Sequence, residues 1–178
     1  MKNFIQFLTY FRIVAGPIIF ILILMLQNYG VALLILFLAS LSDYWDGYLA
    51  RKYSMTSVLG AVLDPIADKI LITFSVIAIS LELASIYIAF LGSMILAREY
   101  WVSALRDFNA QEGNSSATSV TFLAKIKTVT QLGTFCLFLL GLYLNSALVL
   151  FLANFFLFLA AIITIQTGLS YTIATFKK

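Results

Sequence analysis

The chain has 178 residues, 62% of them hydrophobic, with 11 Lys and Arg, 8 Asp and Glu, and no His. Charged residues make up 11%, under half the ~25% of an average soluble domain, and the mean hydropathy is +1.03. This balance excludes a soluble globular enzyme, a disordered chain and a nucleic-acid-binding domain, because so few charges cannot cover so apolar a chain and lipid must solvate most of its surface. At ~20 apolar residues per spanning helix, the length holds about six spans, an all-α integral membrane protein in one domain covering residues 1–178.

The opening segment MKNFIQFLTYFRIV does not read as a signal peptide, since Arg12 interrupts its apolar stretch and no small-residue cleavage site follows closely. Residues 3–10 instead predict a short amphipathic helix at the interface, followed by a first span over residues 12–26 and an uncharged turn, Gln27-Asn28-Tyr29-Gly30. A second span over residues 31–49 ends at Arg51-Lys52, and the polar piece of residues 53–57 follows. The third span covers residues 58–80 with Glu82 near its exit, and the fourth covers residues 86–105. The stretch DFNAQEGNSSATS is the only loop-like segment of any length. Residues 124–143 form the fifth span, Asn145-Ser146 an uncharged turn, and residues 148–174 the sixth span, closed by Lys177-Lys178.

The basic residues orient these spans. Lys2 and Arg12, Arg51-Lys52, Arg106 with Lys125 and Lys127, and Lys177-Lys178 all fall on one side, whereas the turns at 27–30, 81–85 and 144–147 carry no Lys or Arg. By the positive-inside rule that side is cytoplasmic, and both termini lie there. Trp45 and Trp101 near span ends read as interfacial anchors, and the Phe-rich last span as lipid-facing or dimer-facing. The lone Cys136 permits no internal disulfide.

Asp43, Asp46, Asp64 and Asp68 are half of the acidic residues, and all four lie at the cytoplasmic ends of spans two and three. Ionisable groups there are costly unless paired or wetted, which makes them candidates for function. At about 100° per helical residue, Asp43, Asp46, Gly47, Ala50 and Arg51 share an arc of about 140°, and Gly60, Asp64 and Asp68 one of about 80°. Two neighbouring antiparallel helices can therefore turn four carboxylates toward one point, with Gly47, Ala50 and Gly60 leaving room for a close approach. Pro65, between two of the aspartates, loosens the helix there. Four clustered carboxylates repel one another unless some protonate or a divalent cation binds. With no imidazole and no suitable thiol, the ligand set is hard oxygen, which suits Mg²⁺ or Mn²⁺, then Ca²⁺, and argues against zinc or copper. Four carboxylates suffice for two ions, an arrangement that clamps phosphoryl groups. The bland alternative is helix caps and interface ion pairs, such as Asp43 or Asp46 with Arg51.

The pattern Asp43-x-x-Asp46-Gly47-x-x-Ala50-Arg51, eight residues, Gly60-x-x-x-Asp64-x-x-x-Asp68 resembles the signature of the CDP-alcohol phosphatidyltransferases without departure. The segments LTYFRIVAGP, GAVLDPIADKI, AREYWVSALRDF and AKIKTVTQ are similar to one subfamily, the bacterial phosphatidylglycerophosphate synthases, and run through most of residues 8–131. One departure is Ala124, where the subfamily commonly has Gly; the last 40 or so residues offer no motif. The resemblance implies a homodimer of six-span subunits in the cell (inner) membrane, with a two-ion Mg²⁺ or Mn²⁺ site near the cytoplasmic face. It implies transfer of the phosphatidyl group from CDP-diacylglycerol to glycerol 3-phosphate, yielding phosphatidylglycerol phosphate and CMP. It further implies that Asp43, Asp46, Asp64 and Asp68 hold the metals and that Asp68 is also the base for the attacking hydroxyl. The donor would lie against Thr9, Arg12, Asp43, Asp46, Gly47, Ala50, Arg51 and Gly60.

An anionic acceptor needs cations, and Arg98, Arg106, Lys125 and Lys127 are the remaining basic residues near the cytoplasmic ends. Arg98 and Arg106 fall within about 80° of one face. These residues could instead snorkel to lipid phosphates, and Arg98 could pair with Glu99 or Asp107. Lys69 points about 100° away from Asp68 and is left out. Rival readings are a family member using another acceptor (a cardiolipin, phosphatidylserine or phosphatidylinositol phosphate synthase), a carboxylate-lined cation or proton carrier, and a membrane scaffold. A carrier would spread acids through the membrane depth, whereas spans one, five and six carry none.

Overall fold

The computed structural model describes the backbone of residues 2–53, 58–114, 118 and 122–177, and their side chains except those of residues 2–6, 43–44, 46–53, 58–62 and 122–125. Among the described residues the chain is all-helical, with no strand. The helices are α1 (Lys2–Leu24), α2 (Tyr29–Tyr53), α3 (Val58–Glu82), α4 (Ile86–Gln111), α5 (Phe122–Tyr143) and α6 (Ala147–Phe176).

Three of the connections are short turns built alike. Gln27, Ala84 and Asn145 take φ of 48°, 45° and 49°, which ends each helix in a left-handed residue. The next residue then caps the following helix. The Asn28 side chain accepts from Val31 N–H, Ser85 from Ile88 N–H and Ser146 from Val149 N–H. Chain reversal in so few residues makes α1/α2, α3/α4 and α5/α6 antiparallel hairpins and places these turns at one end of the bundle. The turns fall where the uncharged segments predict them.

The hairpins pack through α1 on α3, α2 on α5, α3 on α5, and α4 on α6. Their core holds Ile19, Ile23, Leu36, Ile79, Ile95, Phe135, Phe138 and Leu157, all at most 1% exposed. Gly92 lets α4 close on α3, since a Cβ there would sit 2.3 Å from a Val76 methyl. Large apolar side chains also cover the outside, among them Met25, Ile86, Phe90, Val129, Leu148, Phe151 and Phe155. Among the described residues, four helices contain stretches long and apolar enough to cross a membrane: Phe7–Leu24, Ile86–Gln111, Ile126–Tyr143 and Ala147–Phe176. The apolar part of α2, Tyr29–Ser42, is shorter.

The N-terminal stub is not a separate element, because α1 runs unbroken from Lys2 to Leu24 with Pro17 inside it. Arg12 suggested a boundary because a charge interrupts an apolar run. It is tolerated within the helix because it is fully buried against carboxylates of α3.

Candidate active site

At the end of the bundle opposite the three turns, α1 and α3 bring Thr9, Arg12, Asp64 and Asp68 together. Thr9 and Arg12 are three residues apart and the aspartates four, so each pair shares one helix face. The Arg12 guanidinium has no exposed surface. It donates from Nη1 to Asp68 Oδ1 at 2.6 Å and from Nη2 to Asp64 Oδ1 at 3.0 Å. Thr9 Oγ1 donates to the same Asp64 oxygen at 2.8 Å. The two carboxylates keep 37% and 42% of their side-chain surface exposed. They are gripped on the α1 side, which restrains their rotamers, and each keeps part of its surface exposed. A buried guanidinium is acceptable only with such charge-assisted partners.

Both aspartates line a cavity of about 300 Å³ that Lys69, Arg98, Arg106 and Lys127 also line. Arg98 donates to Thr167 Oγ1 at 2.9 Å and lies 3.4 Å from Glu99 Oε1, to which Lys127 also donates. The Arg98 and Arg106 guanidinium carbons each sit 5.8 Å from the centre of the Tyr171 ring, so one aromatic ring serves both. Gly168 makes room for the Arg98 stem, which a Cβ would approach to 2.9 Å. The cavity thus has Asp64, Asp68 and Lys69 on its α3 wall and a mainly cationic wall on α4 and α5, with Glu99 fixing two of the cations. Such a space suits an anion that must reach a carboxylate.

A narrower cavity of about 70 Å³ opens beside it, lined by Arg12, Ser40, Asp68, Glu99, Lys127 and Gln131 among others. Asp68, Glu99 and Lys127 belong to the walls of both.

Of the residues singled out in the sequence, Asp64, Asp68, Arg98, Arg106 and Lys127 are brought around one space, with Thr9 and Arg12 behind the aspartates. Asp43, Asp46, Gly47, Ala50, Arg51, Gly60 and Lys125 lie outside the described side chains. Lys69, set aside by its angle from Asp68, is on the same wall, donating to Ser103 Oγ at 2.7 Å and lying 5.5 Å from the Tyr100 ring centre. Glu99 was named only as a pair for Arg98, which the structure contains, and Gln131 and Tyr171 were not singled out. Tyr171 had a signal: Thr164, Thr167, Gly168, Tyr171, Thr172 and Thr175 make a polar stripe at helical spacing along apolar α6. Thr167, Thr172 and Thr175 of that stripe accept from Arg98, Trp101 and Asn109 of α4.

Among the described residues no three Asp, Glu, Cys or His side chains are grouped to hold a metal ion. Asp64 and Asp68 nevertheless present hard oxygen donors, half-open and four residues apart, and those fit Mg²⁺ or Mn²⁺ rather than a softer ion.

The model of the CDP-alcohol phosphatidyltransferase family matches residues 2–166. The chain is 32% identical to a Yersinia enterocolitica protein over 98% of its own length and 96% of the relative's. It is 37% identical to a Rickettsia typhi protein over 96% of each, and 35% identical to a Sodalis glossinidius protein over 73% and 72%. All three relatives are named CDP-diacylglycerol–glycerol-3-phosphate 3-phosphatidyltransferase.

Proposed function

The chain belongs to the CDP-alcohol phosphatidyltransferase family, and from that premise we propose that it transfers the phosphatidyl group of CDP-diacylglycerol to glycerol 3-phosphate. The relatives' shared name supports both substrates. The observation that carries the reading is the cavity that Asp64 and Asp68 line together with Lys69, Arg98, Arg106 and Lys127. A phosphorylated alcohol fits this space with its phosphate on the cations and its hydroxyl on Asp68.

Asp68 accepts the proton as the hydroxyl oxygen bonds to the β-phosphorus of the donor. The bond from that phosphorus to the CMP oxygen breaks, and phosphatidylglycerol phosphate stays in the membrane. Arg12 and Thr9 hold the two carboxylates in the rotamers this needs. Arg98, Arg106, Lys125 and Lys127 bind the acceptor phosphate, and Lys69 adds to them. Asp43, Asp46, Asp64 and Asp68 together would hold one or two Mg²⁺ or Mn²⁺ ions. Such ions neutralise the donor's diphosphate and the charge that develops on transfer. Asp43, Asp46, Gly47, Ala50, Arg51 and Gly60 form the donor side, with Thr9 and Arg12 supporting it from behind the α3 carboxylates and the small residues admitting the nucleotide close to the helix.

The single domain crosses the inner membrane six times, with both termini and the site on the cytoplasmic face, and works as a homodimer. The distribution of Lys and Arg supports that orientation. The test is CMP release by purified protein in detergent with CDP-diacylglycerol and Mg²⁺ or Mn²⁺, offering glycerol 3-phosphate, serine, inositol phosphate and phosphatidylglycerol one at a time. Release that depends on metal and on glycerol 3-phosphate is expected. Turnover with another acceptor alone reassigns the substrate, and no release with any of them removes the activity.

A further inference from the structure

Gln131 is 1% exposed, and among the described residues neither its Nε2 nor its Oε1 has a hydrogen-bond partner. A buried carboxamide left in that condition is costly, and native proteins rarely tolerate one without a use for it. Its position gives the use. Gln131 lies one helical turn beyond Lys127 on α5 and lines the narrow cavity, whose wall also includes Asp68. Ala39, Leu71 and Leu132 close that cavity with apolar surface, so the polar groups of its other walls set what it can hold.

The two cavities meet at Asp68, and this junction dictates how an acceptor lies. Its phosphate occupies the wide cavity against the cations, and its reacting hydroxyl reaches Asp68. What remains is the carbon between them, whose hydroxyl has only the narrow cavity to enter. We propose that Gln131 is a specificity-determining residue that binds this unreactive hydroxyl and so selects a phosphate ester bearing a vicinal diol. This deepens, and rests on, the function proposed above. A carboxamide both donates and accepts, and a diol does the same, so the two groups satisfy each other without adding charge beside Asp68. An acceptor that lacks the hydroxyl leaves the amide unpaired in a site closed by protein, and sites built this way discriminate strongly.

The test compares glycerol 3-phosphate with 3-hydroxypropyl phosphate, which keeps the phosphate and the reacting hydroxyl and lacks the middle one. The unaltered enzyme is expected to show kcat/KM at least about tenfold lower with the deoxy acceptor. Gln131→Met keeps the volume and removes the amide, and Gln131→Leu is the second variant. Both are expected to lower kcat/KM for glycerol 3-phosphate by about 10- to 100-fold, to the deoxy level. Turnover of 3-hydroxypropyl phosphate and KM for CDP-diacylglycerol should change by less than about threefold. Neither variant should melt below the parent, because the amide has no partner to lose among the described residues. Equal use of both acceptors by the unaltered enzyme overturns the proposal whatever the variants do, and so does a preference that survives Gln131→Met. Absence of CMP release by the unaltered enzyme with glycerol 3-phosphate would instead overturn the activity itself.

Discussion

Arg12 reaches Asp68 across 56 residues of sequence, its Nη1 donating to Oδ1 at 2.6 Å from a guanidinium with no exposed surface. The second arm of the same group takes Asp64 at 3.0 Å. One planar fork therefore sets both carboxylates, and a point charge cannot copy it. Arg12→Lys is expected to lower kcat by about 100-fold, since misplacement of about 1 Å has that effect, with the chain still folded. Arg12→Ala should in addition destabilise the protein. Both carboxylates are more than one-third exposed, so solvent screens the loss to about 1–3 kcal/mol rather than the larger cost of a fully buried pair. Thermal melts beside CMP-release kinetics separate the two effects.

Removing the charge from the carboxylates tests the chemistry with less damage to the fold. Asn at position 68 can still accept from Arg12 but cannot take a proton from an alcohol. Asp68→Asn is expected to reduce CMP release below about 1% of the parent, in keeping with the 10²–10⁴-fold contribution of a positioned base. Asp64→Asn should do likewise by weakening the hard-oxygen ligand set. Folding is read from the melting profile, which should fall modestly in either variant, because the buried Arg12 keeps only one of its two charged partners. Undiminished CMP release from Asp68→Asn would remove Asp68 from the reaction.

The aspartate stripe was legible because helical spacing is a local property of the chain. Asp64 and Asp68, four apart, share a face in any helix that contains them. The turns were legible for a similar reason: Gln27-Asn28 and Asn145-Ser146 carry their own capping chemistry. What could not be read are properties of helix pairs. Glu99 and Lys127 sit 28 residues apart on different helices and meet only because α3 packs on both α4 and α5. Arg12 looked like the start of a span because its counter-charges lie more than 50 residues away. Lys69 was set aside on angle alone, yet a side chain of that length on α3 still reaches Ser103. Gln131 shows the limit most plainly, since a glutamine within an apolar helix carries no sign of whether its amide will find a partner.

Tyr171 offers a test of the acceptor wall that spares every charge. Its ring lies 5.8 Å from both Arg98 and Arg106, contacts worth about 0.5–1 kcal/mol beside the exposed Arg106 and up to about 2 kcal/mol beside the largely buried Arg98. Tyr171→Leu removes the platform and is expected to raise KM for glycerol 3-phosphate by roughly threefold to tenfold, with kcat and KM for the lipid donor nearly unchanged. Tyr171→Phe keeps the ring face and should keep KM. A rise confined to the lipid donor would place the ring's influence elsewhere.

The final prediction concerns Lys127, which is 5% exposed and donates to Glu99. If it only neutralised Glu99, removing both charges together would restore function, because a buried pair can be replaced by neutral groups at little cost. If it also binds the acceptor phosphate, the double change leaves that phosphate short of one donor. Lys127→Met alone strands the Glu99 carboxylate beside Arg98 and should both destabilise the protein and raise KM for glycerol 3-phosphate by about tenfold or more. Lys127→Met with Glu99→Gln is expected to recover the melting temperature and leave KM high. Recovery of KM together with stability would make Lys127 a structural counter-charge, and the acceptor phosphate would then rest on Arg98, Arg106 and Lys69 among the described cations. Rising salt should weaken acceptor binding in the parent, since part of it comes from the exposed Arg106.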